Sequence, residues 1–223
     1  MVKPEVLAFT DTERLAVYRA IAERRDVRRG FLSTPLPDTL LRTLLEAAHS
    51  APSVGLMQPW RFIIIRDPAM RRHVHSIFLD ANASAIDAYE GDRRQLYASL
   101  KLEGLLEAPQ HVCIVCDPQS IQGHGLGRQT MPEAAVYSTV CAVQNLWLAA
   151  RAEGVGVGWV SILDPSRLRD ALALPDHLVL VAYLCIGYVD AFGNGPELER
   201  LGWEKRADLD DCISYDRYQE ARP

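Results

Sequence analysis

The sequence predicts one α+β domain in which helices pack in layers on a short β-sheet. Leucines recur at three- and four-residue spacing between Leu40 and Ala48, as on the apolar face of a helix. Short apolar runs such as Phe62–Ile65 are bounded by turn residues and predict buried strands. The 223 residues are the length of a single domain, so we expect these elements to share one layered core.

The first two helices are marked by polar caps and by proline. Thr10 or Asp11 can cap a helix that runs to about Arg24, because a side-chain oxygen accepts from the first free N–H groups. Pro37-Asp38 opens the second helix, which ends near Ser50 because a proline follows two residues later.

The middle of the chain alternates helix with apolar strand. We expect helices over residues 69–88 and 93–107, separated by Gly91-Asp92, and a strand over His111–Cys116. Residues 117–133 hold three glycines and two prolines, which predict a loop or a lid.

The last third of the chain begins with a helix over Ala134–Glu153 that is apolar on most sides. Such a helix is buried, either in the core or at a subunit interface. The remaining predicted elements are the strand Val155–Ile162, the short helix Asp164–Leu172, the strand Leu178–Val189 and a polar arm over about residues 190–223.

The charge balance excludes several classes of protein. Twenty-four basic and 29 acidic residues give a net charge of −5, which argues against a general nucleic-acid partner. The longest apolar run falls short of the roughly 18 residues of a membrane span, so no membrane partner is expected. Five scattered cysteines are typical of a reduced, cytoplasmic protein.

Four arginines crowd into residues 24–29 of this acidic chain. They are either a solvated basic face at a helix end or a phosphate clamp, since guanidinium groups match phosphate oxygens. We expect Arg24, Arg25 and Arg28 to fall within one helical turn. The same cations favour an ionised Asp26, which would accept a proton or orient a ligand.

The segment Ala51–Trp60 has an unusual composition between a helix and a strand. It is either a tight connector or a loop that binds a planar ring. In the second interpretation Ser53 and Gln58 bond a polar ring edge, while Met57 lies against the ring face.

Glycines at positions 154, 156 and 158 follow a helix and enter a strand, so they are not the dinucleotide fingerprint. They indicate either a helix stop with a flat strand or a strand that a planar ligand approaches closely. Cys113 and Cys116 lie three apart in a strand and should face opposite sides of the core. The histidines have no partners at ligand spacing, so no metal site is predicted.

Taken together, the motifs resemble the flavin-binding nitroreductase superfamily. The segments are Arg24-Arg25-Asp26-Val27-Arg28, then Pro52-Ser53-Val54-Gly55 with Met57-Gln58-Pro59-Trp60. The second set, together with Gly156-Val157-Gly158-Trp159-Val160-Ser161, is more narrowly similar to the 5,6-dimethylbenzimidazole synthase family. The likeness covers roughly residues 15–205.

The resemblance implies a nitroreductase-like mixed central sheet flanked by helices, in an intertwined homodimer with flavin at the interface. It also implies oxygen-dependent fragmentation of reduced FMN to 5,6-dimethylbenzimidazole, the lower ligand of cobalamin, and D-erythrose 4-phosphate. Reduced FMN would be consumed as a substrate with molecular oxygen, and NAD(P)H would act through a transient flavin reductase. The alternatives are an FMN-dependent NAD(P)H nitroreductase or quinone reductase, and a non-catalytic flavin-binding protein.

The resemblance also assigns roles to individual residues. Asp26 and Ser161 are the expected catalytic pair, for proton transfer and for positioning. The expected FMN-binding residues are Arg24, Arg25, Arg28 and Lys205 or Arg206 at the phosphate; Pro52, Ser53, Met57, Gln58, Gly158, Trp159 and Val160 around the ring; and Lys101 at the pyrimidine edge or ribityl chain.

Overall fold

Four strands form the central sheet: β1 (Trp60–Ile65), β2 (Gln110–Cys116), β3 (Val155–Val160) and β4 (Val179–Tyr188). A computed structural model gives their arrangement and describes residues 8–219. The strand order is β1-β2-β4-β3, and all neighbours in it are antiparallel. The parallel component of the expected mixed sheet is an isolated bridge between Asp26 and Val157 of β3.

The helices are α1 (Asp11–Glu23), α2 (Asp38–His49), α3 (Pro68–Ala85), α4 (Gly91–Ser99), α5 (Ala134–Ala152), α6 (Pro165–Ala171) and α7 (Glu197–Arg200). As predicted, Thr10 caps α1, and its side chain accepts from Glu13 in a reciprocal capping box. Within residues 8–219, no helix is long and apolar enough to cross a membrane.

Helices pack on both faces of the sheet, and successive residues of β2 supply the two cores. Val112 and Ile114 belong to the cluster shared with α2 and α5, while Cys113 and Val115 belong to the cluster under α3 and α6. Cys116 packs in a third cluster, so the two cysteines do face opposite sides. Burial raises the pKa of the Cys113 thiol to about 12.

Helix α5 is the central helix, but it is not buried on every side. Its inner face holds fully buried residues such as Ala142 and Leu146, which pack against the sheet and α2. Tyr137, Val140 and Cys141 are exposed on the opposite face. These exposed residues on the outer face favour the interpretation of α5 as part of a subunit interface.

The helix predicted over residues 93–107 is wrong in its second half, because α4 ends at Ser99. Residues 100–107 instead wrap beneath the sheet, where a Cβ on Gly104 would lie 2.5 Å from the ring of Phe31. Lys101 is held there by ion pairs of 2.6 Å to Glu103 and 3.2 Å to Glu107. These tertiary contacts override the local helical pattern.

The prediction that the arginines share one helical turn is also wrong. Helix α1 ends at Glu23, and the segment that follows runs along the edge of β3. The N–H of Val27 donates to the carbonyl of Val157 at 3.0 Å. A Cβ on Gly158 would overlap the Val27 carbonyl oxygen, so this glycine permits the close approach of two backbones.

The C-terminal arm is not detached along its whole length. Helix α7 follows the turn after β4, and Trp203 is half-buried against Tyr89 and Tyr97. Residues 207–219 are exposed, as expected for an arm. The predicted arm also includes residues 220–223, which lie outside the described residues.

A buried histidine makes the stability of this fold depend on pH. His111 in β2 is fully buried, and its Nδ1 lies 2.9 Å from the Tyr183 hydroxyl. Burial, aided by the charge of Arg71, lowers the pKa of His111 to about 4. In the unfolded chain the pKa of this histidine has its ordinary value of about 6.5. As the pH falls, the unfolded chain therefore binds the proton before the folded protein does.

Because of His111, we expect the free energy of unfolding to decrease by about 2 kcal/mol as the pH falls from about 7.5 to about 5. Urea titrations at the two pH values measure the change. The variant His111→Gln should lose this part of the slope, whereas His73→Gln, at an exposed position, should keep it. An unchanged slope in His111→Gln would contradict the prediction.

Candidate functional site

A cavity of about 170 Å³ lies between the segment that follows α1 and the C-terminal arm. Four of its lining residues are cationic, which makes it a candidate anion site. The lining comprises Arg24, Arg25, Asp26, Arg28, Pro196, Glu197, Leu198 and Arg206.

Arg24 lies against α5. Its guanidinium carbon is 4.6 Å from the centroid of the Trp147 ring, a cation–π contact. Burial lowers the pKa of Arg24, Asp26 opposes this, and the positive charges of Arg25 and Arg206 add to the lowering. An anion bound beside Arg24 would relieve this crowding of positive charge.

Arg25 has a different environment from Arg24. Its Nη1 donates to the carbonyls of Ala22 at 2.8 Å and Arg24 at 2.7 Å, and its Nε donates to Gly193 at 3.1 Å. Arg25 therefore ties the end of α1 to the turn after β4. Arg25 lines the cavity, but its guanidinium group is already engaged in hydrogen bonds to backbone carbonyls.

Asp26 and Arg28 form the centre of the site. Asp26 Oδ2 accepts from Arg28 Nε at 2.8 Å and Nη2 at 2.7 Å, while Oδ1 accepts from the N–H of Trp159 at 2.9 Å. Arg28 Nη1 is buried and has no hydrogen-bond partner among residues 8–219. Because an unpaired buried donor is costly, this nitrogen fits a site for a ligand oxygen such as that of a phosphate.

A second cavity of about 190 Å³ adjoins the first, since both are lined by Arg28 and Leu198. It contains the exposed Ser161, which follows the end of β3. The other lining residues are mostly apolar or aromatic: Tyr97, Leu100, Leu102, Trp159, Ile162 and Trp203. A largely apolar cavity that also holds the Ser161 hydroxyl and the Arg28 guanidinium suits a planar ligand with a polar edge.

The two predicted lysines, Lys101 and Lys205, differ in their relation to the two cavities. Lys101 stands between Leu100 and Leu102 of the second cavity, but Glu103 and Glu107 bond its ammonium group. Burial opposes protonation, yet these two carboxylates outweigh it and raise the pKa of Lys101. Lys205 is exposed and does not line the first cavity, whereas its neighbour Arg206 does.

The predicted ring-binding loop lies elsewhere in the same chain. The N–H of Val54 donates to Ser138 in the first turns of α5, while the carbonyl of Arg25 accepts from Trp147 nine residues later. Nine residues of helix correspond to about 13 Å along the axis. One protomer therefore does not bring Ser53 next to the arginines.

The loop has its own internal order. The N–H of Gln58 donates to Ser53 Oγ at 3.1 Å, and Pro52 is exposed. Met57 is only 1% exposed and packs with Cys116 and Ala135. In this protomer the Met57 side chain thus belongs to the core, and its predicted ring contact stays a prediction.

Residues 117–133 brace that loop. A Cβ on Gly123 would overlap the carbonyl oxygen of Gly55, so the two backbones touch. Gln122 Nε2 donates to the Leu56 carbonyl at 3.0 Å and to Gln58 Oε1 at 3.1 Å. The predicted lid is packed onto the predicted ring loop in this structure.

Sequence reasoning missed several residues that line or brace the site: Tyr97, Trp147, Leu198 and Trp203. Trp203 offered a signal, since it is a large aromatic residue in an otherwise polar arm. The remaining three had ordinary positions in apolar or amphipathic patterns, and only the tertiary structure shows what they contact.

Known proteins resemble this chain over most of its length. Residues 21–188 match the Nitroreductase family. A 5,6-dimethylbenzimidazole synthase of Rhodospirillum rubrum is 50% identical over 183 residues, which cover 82% of this chain and 86% of that protein. A 5,6-dimethylbenzimidazole synthase of Rhodobacter capsulatus is 40% identical over 197 residues, covering 88% and 95%.

The fold comparison agrees with the sequence comparison. A crystal structure of oxidized iodotyrosine deiodinase bound to FMN and 3-iodo-L-tyrosine superposes with a TM-score of 0.72 at 21% identity. The match covers 91% of this chain and all of that one, and at this identity it shows the fold alone. The chain therefore belongs to the nitroreductase family, and within it to the family of the 5,6-dimethylbenzimidazole synthases.

Proposed function

We propose that this protein is a 5,6-dimethylbenzimidazole synthase. It cleaves reduced FMN with molecular oxygen and releases 5,6-dimethylbenzimidazole, the lower ligand of cobalamin, together with D-erythrose 4-phosphate. The 50% identity to a synthase across 82% of the chain carries the proposal. The adjoining cationic and apolar cavities are consistent with a substrate that has a phosphate at one end and a ring at the other.

The arginines divide the work of holding the phosphate. Arg24 and Arg206 supply positive charge at the first cavity, and the unpartnered Nη1 of Arg28 supplies a buried donor. Arg25 mainly braces the backbone that carries them. Reduced FMN supplies both the electrons that oxygen accepts and the carbon skeleton of the products.

Asp26 acts from the first cavity and Ser161 from the second, and Arg28 lines both. Arg28 and the Trp159 N–H fix the Asp26 carboxylate, which takes and returns a proton through one of its oxygens. The Ser161 hydroxyl lies in the second cavity and orients the polar edge of the ring. Lys101, which lies between two residues of the cavity wall, contacts the pyrimidine edge or the ribityl chain.

A second copy of the chain completes the site. Helix α1 has no buried residues, and it exposes Leu15, Tyr18 and Ile21. The outer face of α5 exposes Tyr137 as well. Pairing these apolar faces in a homodimer would cover them. It would also bring the partner's residues 52–58 to the first cavity, which the arginines line.

The supply of substrate is a separate question, because the chain consumes reduced FMN. We infer that a flavin reductase that uses NAD(P)H is one source of it. We also infer a cytoplasmic location, because Cys141 and Cys212 are exposed as free thiols.

The central test supplies chemically reduced FMN and air to the purified protein. We expect mass spectrometry to detect 5,6-dimethylbenzimidazole and an equal amount of erythrose 4-phosphate. Intact reoxidised FMN as the sole flavin product would overturn the proposal. Oxidation of NAD(P)H with a nitroaromatic or quinone acceptor would then identify a nitroreductase.

In the same assay, Asp26→Asn and Ser161→Gly should still bind FMN but lose product formation by at least about 100-fold, the usual scale of proton-transfer catalysis. Asp38→Asn, an exposed residue that pairs with Arg66 on the surface, serves as the matched control. A full product yield from either site variant would remove that residue from the mechanism.

Phosphate recognition can be separated from ring recognition with riboflavin, which lacks the phosphate. Arg24→Ala should weaken binding of oxidised FMN by about tenfold to about a hundredfold, the effect of losing a charge-assisted hydrogen bond. Riboflavin affinity should stay unchanged in fluorescence titrations. Arg42→Ala, at an exposed position of α2, is the control, and equal losses for both ligands would refute the assignment.

Sedimentation velocity should give a particle of about twice 24.9 kDa. Tyr18→Glu places a charge on the exposed apolar face of α1 and should shift the protein toward monomer with loss of FMN binding. Leu79→Glu alters an exposed apolar residue of α3 and should leave the dimer intact. A monomeric wild type that cleaves FMN would contradict the shared site.

A further inference from the structure

Trp203 of the C-terminal arm contacts three side chains of the segment that includes α4: Tyr89, Arg93 and Tyr97. Its ring centroid lies 5.2 Å from that of Tyr89 and 6.0 Å from that of Tyr97. The guanidinium carbon of Arg93 lies 4.7 Å from the Trp203 ring centroid, and Arg93 also donates to the Trp203 carbonyl. Trp203 thus holds the arm through one edge-on and one tilted aromatic contact, a cation–π contact and a hydrogen bond that its carbonyl accepts from Arg93.

The surface that receives Trp203 is itself fixed. The hydroxyl of Tyr97 donates to Asn82 of α3 at 2.8 Å, and the rings of Tyr89 and Tyr97 stack at 4.9 Å. Arg94 donates to the Ile86 carbonyl at 2.8 Å, which holds the turn between α3 and α4. Trp203 therefore docks on a braced surface, whereas residues 207–219 of the arm are exposed.

This docking forms one wall of the cavity that contains Ser161. Trp203 and Tyr97 line it together, and Leu198 lines both this cavity and the cationic one. Trp203 also lies three residues before Arg206, so its contacts keep that arginine close to the first cavity, which Arg206 lines. One aromatic side chain thus forms part of the wall of the second cavity and also lies close to the first cavity, where the phosphate is proposed to bind.

We propose that Trp203 is a positioning residue that closes the second cavity, which would hold the flavin ring, against solvent. In this way it directs reduced FMN toward cleavage. The inference rests on the proposed function. In an open cavity, two electrons and two protons pass from reduced FMN to oxygen, which gives intact FMN and hydrogen peroxide. Apolar walls disfavour that outcome because they keep water and its protons away from the reacting ring.

The first measurement needs no turnover. Acrylamide quenches flavin fluorescence on contact, so its quenching constant for bound oxidised FMN reports access to the cavity. Trp203→Ala should raise this constant by about threefold or more, while Trp203→Phe should restore most of the shielding. Tyr215→Ala removes an exposed aromatic residue of the same arm and should leave the constant unchanged.

The second measurement is the ratio of 5,6-dimethylbenzimidazole to hydrogen peroxide formed from one equivalent of reduced FMN in air. Trp203→Ala should lower this ratio by about tenfold. Arg93→Gln, which loosens the contact from outside the cavity, should lower it by a smaller factor. Arg206→Ala should weaken FMN binding and keep the ratio at saturating FMN, which separates closure from phosphate binding.

The outcomes separate the two claims. Thermal unfolding first establishes that Trp203→Ala is folded; if it is not, Arg93→Gln takes its place in both measurements. A wild-type quenching constant in the folded variant overturns the closure by Trp203. If the wild type shields FMN through Trp203 but yields no 5,6-dimethylbenzimidazole, closure is supported and the proposed function fails.

Discussion

The site depends on the close contact between two backbones at the edge of the sheet. Val27 donates to Val157, and the missing side chain of Gly158 leaves space for the Val27 carbonyl. This contact sets Asp26 beneath the Trp159 N–H. A side chain on Gly158 would force this segment away from β3 and displace Arg24, Asp26 and Arg28 together.

Much of the fold could be predicted because its signals are local. A capping box starts α1, and a short, continuous apolar run identifies the buried strand β2. The conformation after Glu23 could not be predicted locally, since the partner of that segment is more than a hundred residues away in β3. The same holds for the end of α4, where Phe31 occupies the space beside Gly104.

The chemistry of the candidate site could be predicted in kind, but its arrangement could not. Four arginines and one aspartate in a short segment favour an anion site with an ionised carboxylate or a solvated basic face, whatever their backbone conformation. Their division of labour follows only from contacts: Arg25 bonds carbonyls, and Arg28 bonds Asp26. The role of Trp203 depends on Tyr97, which lies far from it in the sequence, and no spacing rule connects the two.

The meeting of Gly55 with Gly123 has a consequence for evolution and for engineering. The two loops share a surface with no room for a methyl group on either side, and Gln122 bonds the backbone of the first loop. A side chain added at Gly55 or Gly123 would therefore require a compensating shift in the other loop. Recombination that exchanges residues 52–58 between relatives should therefore transfer residues 117–133 with them.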